Sequence, residues 1–550
     1  MKIVVIGAVA AGTSAAAKAR RNNDHAEIVI YEKDLDISYS GCGLPYYIGG
    51  DVKDLGELVP RDADFFKKKY NIDIHTAHEV LRINPDKKVL TVKNLVTGEE
   101  FVDGYDKLVI ATGASPIVPN ILGVDNPNVF FLRNVQSAKK IATFIENQNP
   151  KTAVIVGTGF IGFEMLENLI EKQIEVTILE KAPYIAPNLD EDMSLYLEVM
   201  LTKKKINMIK STAIIEINGN KVILEDGTEI PGEFVIMATG VKPNVSLATS
   251  AGVTIGETGA IKVNQCMQTN LTDIYACGDC IETYSLITNK PSYRPLGSTA
   301  NKTGRIAGDQ ITGGTLYYRG NLGTGIYKLF DMSVAMTGLT EREARKEGYD
   351  VVVCHNIKPD KPSYFNGREM LIKAVADKET ERLLGVQIIG YVGVDKRIDI
   401  FATLITYGAK VDELFHLDLA YAPPFSTTKD PVHYTGMILD NALNQERALI
   451  TSTELTQRLQ SGEEIQIIDA RVNKQYEDSH VDSAINIPHS KLREQMETLD
   501  KETLTVTYCN KGVTGNATQN ILLGNGFKKV YNLSGGHKFY SSTKSNENKL

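Results

Sequence analysis

"TAVIVGTGFIGFEMLENLIEKQIEVTILEK", residues 152–181, decides the fold. A short apolar run leads into Gly157-Thr158-Gly159-Phe160-Ile161-Gly162. A stretch with helical periodicity follows, then a second apolar run that ends at Glu180. Strand, glycine turn, helix and strand in that order form the βαβ unit that holds a dinucleotide. The free N–H groups at such a helix start suit a pyrophosphate. Glu180 would repel a 2′-phosphate, which favours NADH, while Lys181 beside it leaves NADPH open.

The same pattern opens the chain. "IVVI" (3–6) reads as a buried strand, "GAVAAG" (7–12) as the turn, and an alanine-rich segment to Arg21 as the helix. "AEIVIYEK" (26–33) is the second strand, with Glu32 where ribose hydroxyls are received and Lys33 after it. Gly7 permits the tight turn and Gly12 the close packing of helix on sheet; Val9 departs from the usual second glycine. Two such units predict two bound dinucleotides. "KLVIATGASP" (107–116) and "EFVIMATGVKP" (233–243) are further strands. They end in Ala111-Thr112-Gly113 and at Gly240, and "TNLTDIYACGDC" (269–280) ends in Gly278-Asp279.

A chain of 550 residues has room for three or four domains. Its 42% hydrophobic and 23% charged residues are ordinary for a globular protein. A net charge of −8 without a long basic block argues against a nucleic-acid partner. "MKIVVIG" is too short an apolar run for a signal peptide, and no stretch reaches membrane-span length. Six cysteines do not make a disulfide framework, so the expected setting is reducing and cytoplasmic. No His/Cys/Asp cluster has metal-ligand spacing.

Together the two glycine motifs, the Ala-Thr-Gly strands and Gly278-Asp279 resemble the two-dinucleotide disulfide-reductase superfamily of flavoproteins. The resemblance covers roughly residues 1–445. It implies an α/β architecture with two Rossmann-like domains, an FAD domain (1–114 and 241–320) and an inserted NAD(P)H domain (115–240). An α+β domain (321–445) would make the homodimer. FAD would meet Gly7, Ala8, Gly12, Glu32, Lys33, the segment Ala111-Thr112-Gly113 and Gly278; Asp279 would hold its ribityl and pyrophosphate end. NADH or NADPH would meet Gly157, Gly159, Gly162, Glu180 and Gly240.

"SYSGCGLPYY" (38–47) carries one cysteine, Cys42. The CxxxxC spacing of dithiol members would need a second at 37 or 47, which are Ile37 and Tyr47. A lone thiol beside a flavin can hold a sulfenic acid, a mixed disulfide or a persulfide. Ser40 or Gly41 would cap a short helix with Pro45 in its first turn, and a thiolate at that helix start would be stabilised. The glycine loop has Ala10 and no histidine, which weakens peroxide chemistry.

"SYSGCGLPYYIGG" and "YAPPFSTTKDPVH" are similar to the coenzyme A-disulfide reductase branch. That resemblance implies proton donation by Tyr421, supplied from the partner subunit, and by Tyr364, with Ser38 and Asn301 near the cysteine. Coenzyme A phosphates would need basic residues, for which Lys18, Arg20, Arg21 and Lys68 stand ready. The alternatives are an NADH oxidase or peroxidase working through a Cys42 sulfenic acid, and a sulfur-carrier or redox-sensing protein without turnover. "CGDC" (277–280) is not read as a redox pair, because Gly278-Asp279 serves the flavin.

After a linker at 446–452 the pattern restarts over 453–542. Thr451 to Leu455 reads as a helix start, followed by alternating strands and helices. "TVTY" ends at Cys509 and "NKGVTG" follows, with a helix from about Asn516; such a loop can surround one sulfur with N–H groups. Asp469, Arg471, Glu477, His480, "AINIP" and "LSGGH" resemble a rhodanese scaffold, which implies that Cys509 carries a persulfide. Thr514 stands where many such loops have arginine, which weakens the binding of an anionic donor such as thiosulfate. The tail, 543–550, is polar and expected to be disordered. The reading is an FAD-dependent NAD(P)H enzyme reducing coenzyme A disulfide, coenzyme A persulfide or polysulfide.

Overall fold

The computed structural model describes residues 1–544. The chain divides into two compact units, one of Met1–Lys181 with Ser211–Gly323, the other of Ala182–Lys210 with the residues from Thr324 onward.

The first unit holds a parallel sheet in the order Ile274–Ala276, Lys107–Ile110, Lys2–Ile6, Glu27–Tyr31, Asp73–His75. Ile3, Val4 and Val5 are fully buried, as a strand covered on both faces requires. The helix Ala10–Asn22 covers it and packs on Gly297–Gln310. That crossing needs small residues: a Cβ on Gly304 would lie 2.2 Å from the Ala11 carbonyl oxygen, and one on Gly308 2.1 Å from that of Ala15. A second parallel sheet contains Glu175–Leu179, Thr152–Val156, Phe234–Met237 and Val129–Phe130, with the helix Phe160–Glu171 against it. Between the two, Ala114–Pro116 pairs antiparallel with Val241–Pro243, where the chain enters and leaves the second sheet.

In the second unit, five antiparallel strands run in the order Gly325–Leu329, Met332–Gly338, Leu383–Gly390, Glu369–Asp377, Val351–Pro359. The helices Val394–Thr406 and Pro431–Asn444 pack on them. The same unit contains a parallel sheet in the order Leu449–Ile450, Val530–Leu533, Leu504–Tyr508, Ile465–Asp469, Ile485–Asn486.

Two expectations about the chain's last part are corrected. Residues 446–452 are not merely a linker: Leu449 and Ile450 pair in parallel with Asn532 and Leu533, and Ile450 is fully buried. Thr451 caps the helix Ser452–Gln460 by accepting the Glu454 N–H. Thr543 and Lys544, placed in a disordered tail, end the helix Gly536–Lys544, because Tyr540 and Thr543 are buried. The rest of that tail lies outside the described residues.

Candidate functional site

The first glycine turn is closed by its own backbone. Gly7 has φ +105°, and a Cβ there would lie 2.3 Å from the Ala111 carbonyl oxygen. A Cβ on Gly12 would lie 1.8 Å from the Gly7 oxygen. Gly278, at φ +84°, faces the Ala11 methyl, and its N–H donates to the Thr303 hydroxyl at 3.1 Å. Glu32 is buried and accepts the N–H groups of Ala8 (2.7 Å) and Asp34 (3.0 Å). Burial raises its carboxyl above the ordinary range. Lys33, just past the strand, is exposed. Asp279 pairs with Arg133 at 3.1 Å, and its carbonyl accepts the Tyr293 hydroxyl at 2.9 Å. Thr112 is fixed by Asn244, donating to its carbonyl at 2.7 Å and accepting from its amide at 2.8 Å, and the Gly113 carbonyl accepts the Asn244 N–H. These glycines and the acid pair form a cradle that fits a dinucleotide with a ribityl chain.

The second turn repeats the plan. Gly157 (φ +105°) backs onto the Ala238 carbonyl, and Gly162 would put a Cβ 2.0 Å from the Gly157 oxygen. Gly159 has nothing within 4 Å, so the space a phosphate needs is there. Glu180 accepts the Thr158 N–H at 3.0 Å and is held at the strand's end. Gly240, at φ +93°, begins the return strand.

Cys42 lies beside the first cradle. Ser38, in the left-handed region at φ 48°, donates its N–H to the Ala8 carbonyl at 2.9 Å, which ties the cysteine segment to the glycine turn. Gly41–Gly43 forms a single 3₁₀ turn, and the helix Leu44–Gly49 begins only after Cys42, with Pro45 in its first turn. Ser40 offers no side-chain cap. That helix packs on Phe160–Glu171 so tightly that a Cβ on Gly49 would strike the Asn168 amide at 1.8 Å. The packing carries Glu164 toward the sulfur. Burial raises the Cys42 thiol, the Glu164 and Asp279 carboxylates add to the rise, and Arg133 opposes it. Burial and the two carboxylates thus oppose the helix-stabilised thiolate expected from the sequence. Glu164 itself is pushed up to about 7, by burial and then by Glu167.

The second unit holds the other two expected donors and the second cysteine. Tyr421 and Tyr364 are exposed, at 47% and 71%. Cys509 is buried at the end of Leu504–Tyr508; its carbonyl accepts the His537 N–H at 2.9 Å, and Asn510 accepts that of Lys538 at 3.1 Å. The next helix, Val513–Gly524, starts ahead of the expected Asn516 because Gly512 turns the chain at φ +96°. Asp469 and Arg471 are buried and pair with each other behind the loop.

The family model described as pyridine nucleotide-disulphide oxidoreductase matches residues 1–293. The chain belongs to this family. The family's dimerisation domain matches residues 326–431, and a rhodanese-like domain matches 451–543. The chain is 38% identical over 443 residues to the NAD(P)H sulfur oxidoreductase (CoA-dependent) of Pyrococcus furiosus, covering 80% of this chain and 99% of that one. Reduced Bacillus anthracis CoADR-RHD matches with a TM-score of 0.96 at 36% identity, over 98% of both chains. An NAD-dependent persulfide reductase from A. fulgidus matches with a TM-score of 0.91 at 37% identity, over 98% of this chain and 100% of that one.

In this oxidoreductase several basic residues proposed for coenzyme A are committed to the fold. Arg20 is buried, and its guanidinium donates to the carbonyls of Tyr70, Asn23, Asp24 and Asn71. Lys18 joins the first helix to Asp309 at 3.0 Å. Arg21 is exposed, and Lys68 pairs loosely with Asp64 at 3.7 Å on the surface. Asn301 is exposed, accepts the Ser14 hydroxyl at 2.8 Å and donates to the Gly297 carbonyl. Cys277 and Cys280 are fully buried, and burial raises both thiols, as packing residues behave. Sequence reasoning missed Glu164, Arg133 and Tyr293. Only Glu164 had a signal, its place just past Gly162 on the helix that the cysteine segment meets. Among the described residues no helix is long and apolar enough to cross a membrane, and no His/Cys/Asp/Glu group is arranged for a metal.

Proposed function

We propose that this chain is an FAD-dependent NAD(P)H oxidoreductase that reduces coenzyme A disulfide, coenzyme A persulfide or a polysulfide at Cys42. We read Cys509 as a carrier of sulfane sulfur. The observation that carries the reading is the placement of one unpaired, exposed cysteine between a flavin-shaped cradle and the helix of the second dinucleotide turn. With no neighbouring thiol, its partner sulfur must come from a substrate.

Cys42 loses its proton and attacks one sulfur of the substrate S–S bond. A Cys42–S bond forms, the substrate S–S bond breaks, and a thiolate or hydrosulfide departs. Tyr421 or Tyr364 supports protonation of that leaving group, since a phenol can donate and both are exposed. FAD, when bound, supplies the electron pair drawn from NAD(P)H that cleaves the mixed disulfide and restores Cys42. The chain's part is geometric: Ser38 anchors the cysteine segment to the cradle, and Arg133 offsets the carboxylates around the sulfur. The matched dimerisation domain supports a homodimer, in which the partner subunit's Tyr421 would serve the site. The fused rhodanese-like domain favours a persulfide over a simple disulfide as substrate.

The test is Cys42→Ser. NADH oxidation driven by coenzyme A persulfide or disulfide falls by about 10³ or more, while bound flavin stays at the wild-type level. Turnover unchanged by the substitution, or NADH consumption equally fast with oxygen alone, overturns the reading.

A further inference from the structure

The loop after Cys509 carries a lysine of its own, Lys511, two residues past the cysteine. A second lysine is tied to the loop through the backbone. His537 and Lys538, in the first turn of the helix Gly536–Lys544, donate their N–H groups to the carbonyls of Cys509 (2.9 Å) and Asn510 (3.1 Å). Both lysine side chains pair with one carboxylate, that of Glu369, Lys511 on one oxygen and Lys538 on the other. Glu369 belongs to the antiparallel sheet, where it opens the strand Glu369–Asp377 and pairs across with Pro359. Its neighbour Arg368 is committed elsewhere, to Asp331 at 2.9 Å and to the face of the Tyr391 ring. Burial alone would raise the Glu369 carboxyl, but Lys511 and Lys538 outweigh it, so the group is ionised at neutral pH. Of these three charges, one positive unit is left at the loop.

We propose that Glu369 is a specificity-determining residue for the carrier cysteine: it cancels one of the two positive charges beside the Cys509 loop and so biases the loop against donors that bring two negative charges to the reacting sulfur. The inference rests on the reading of Cys509 as a sulfane-sulfur carrier and deepens it by donor class. Thiosulfate is compact and brings both its charges to the loop. A persulfide on a long uncharged arm presents a single charge there. Anionic groups at the far end of such an arm, more than roughly 10 Å away, are largely screened. Thr514 adds no cation that would make up the difference.

The step is the same for both donors. The Cys509 thiolate attacks the sulfane sulfur, and an S–S bond forms to Cys509. The donor's S–S bond breaks with its electron pair on the leaving group, which is sulfite from thiosulfate or a thiolate from a persulfide. The transferred sulfur stays on Cys509 as a persulfide anion, and no outside oxidant or reductant enters. Glu369 acts through the two lysines: it sets the potential in which donors of different charge approach, so its test must read charge.

The test is a charge series in the flavin-loaded full chain carrying Cys42→Ser. Thiosulfate and pantetheine persulfide are the donors, and persulfide on the Cys509 peptide is followed in time by mass. The quantity read is the ratio of the two loading rates, in which any change in the Cys509 thiolate itself cancels. Glu369→Gln restores the second positive charge and shifts the ratio about threefold toward thiosulfate. Lys538→Gln leaves Lys511 facing Glu369 alone and shifts it about threefold toward the persulfide. The double variant returns to the ratio of the parent, and high salt shrinks every shift. Loosened packing at the sheet would slow both donors together and leave the ratio where it was. If Glu369→Gln does not fold, Lys538→Gln carries the test. A ratio constant across the series, or one that moves the same way in both single variants, overturns the proposal. A parent chain whose Cys509 takes sulfur from neither donor overturns the carrier reading instead.

Discussion

Gly159 and Gly162 stand three residues apart on one turn and are glycine for different reasons. Gly162 must be small because the protein's own backbone is there, 2.0 Å from where its Cβ would sit; at Gly159 nothing of the protein lies within 4 Å, so any demand for glycine would have to come from a ligand. Gly162→Ala should therefore destabilise the fold by about 1–3 kcal/mol or more through forced backbone movement. Gly159→Ala should fold normally and raise KM for NAD(P)H by roughly tenfold, since only a ligand phosphate competes for that space. Thermal melts and steady-state kinetics on the two variants separate the cases, and a normal KM for Gly159→Ala would remove this glycine from the cofactor site. The spacing made both residues visible in the sequence. It could not tell Arg20 from Arg21. The two are adjacent, yet one is buried under four carbonyl bonds and the other exposed. The helix pattern does not separate them, since Arg20 follows buried Ala16 and Arg21 follows buried Ala17 by one helical turn; what selects Arg20 is the set of carbonyls from Tyr70 and Asn71, remote in the chain.

At the scale of elements, the cysteine turn takes its chemistry from a helix that lies far from it in sequence. Phe160–Glu171 belongs to the second glycine motif, yet it delivers Glu164 to Cys42 through the Gly49–Asn168 contact. Each element was legible from its own pattern; their packing was not, because it depends on side-chain shape at a crossing. Glu164 is pushed up to about 7 from an ordinary 4.5. Between those values the folded chain holds a proton that the unfolded chain has released, so this group's contribution to stability falls as pH rises from 4.5 through 7. Glu164→Gln should accordingly stabilise the protein more at pH 8 than at pH 5, read from denaturant midpoints at the two pH values. It should also lower the pH at which Cys42 is alkylated, because one of the two carboxylates opposing the thiolate is gone. An unchanged Cys42 profile would detach Glu164 from the sulfur.

At the largest scale, the second unit is organised around charge as well as apolar packing. Lys373 is buried in "MLIKAVAD", a strand covered on both faces, and the sequence shows only that a lysine stands where a hydrophobic residue is expected. Its partners come from distant segments: Asp192 at 2.8 Å, Asp190 at 3.2 Å and Glu341 at 2.8 Å. Asp192 also bonds the His355 ring at 2.7 Å, and His355 reaches into the rhodanese-like part through the Ser534 hydroxyl and a stacked Phe539 ring 4.2 Å away. Local periodicity cannot reveal such a network, because what selects each member is the charge of a residue remote in the chain. Burial alone would raise the Asp192 carboxyl, but Lys373 and His355 outweigh it and hold the group below its usual range. A carboxyl held low stabilises the fold above its unfolded value of 3.8, and that contribution disappears as pH falls below it. Asp192→Asn removes a charge from a buried, hydrogen-bonded cluster and should cost about 3–5 kcal/mol at neutral pH. The deficit against wild type should shrink as the pH approaches the acid range, where wild type also loses the charge. Denaturant titrations of the full chain at neutral and acid pH would show it, and a deficit constant across that range would mean that Asp192 acts by packing and not by charge.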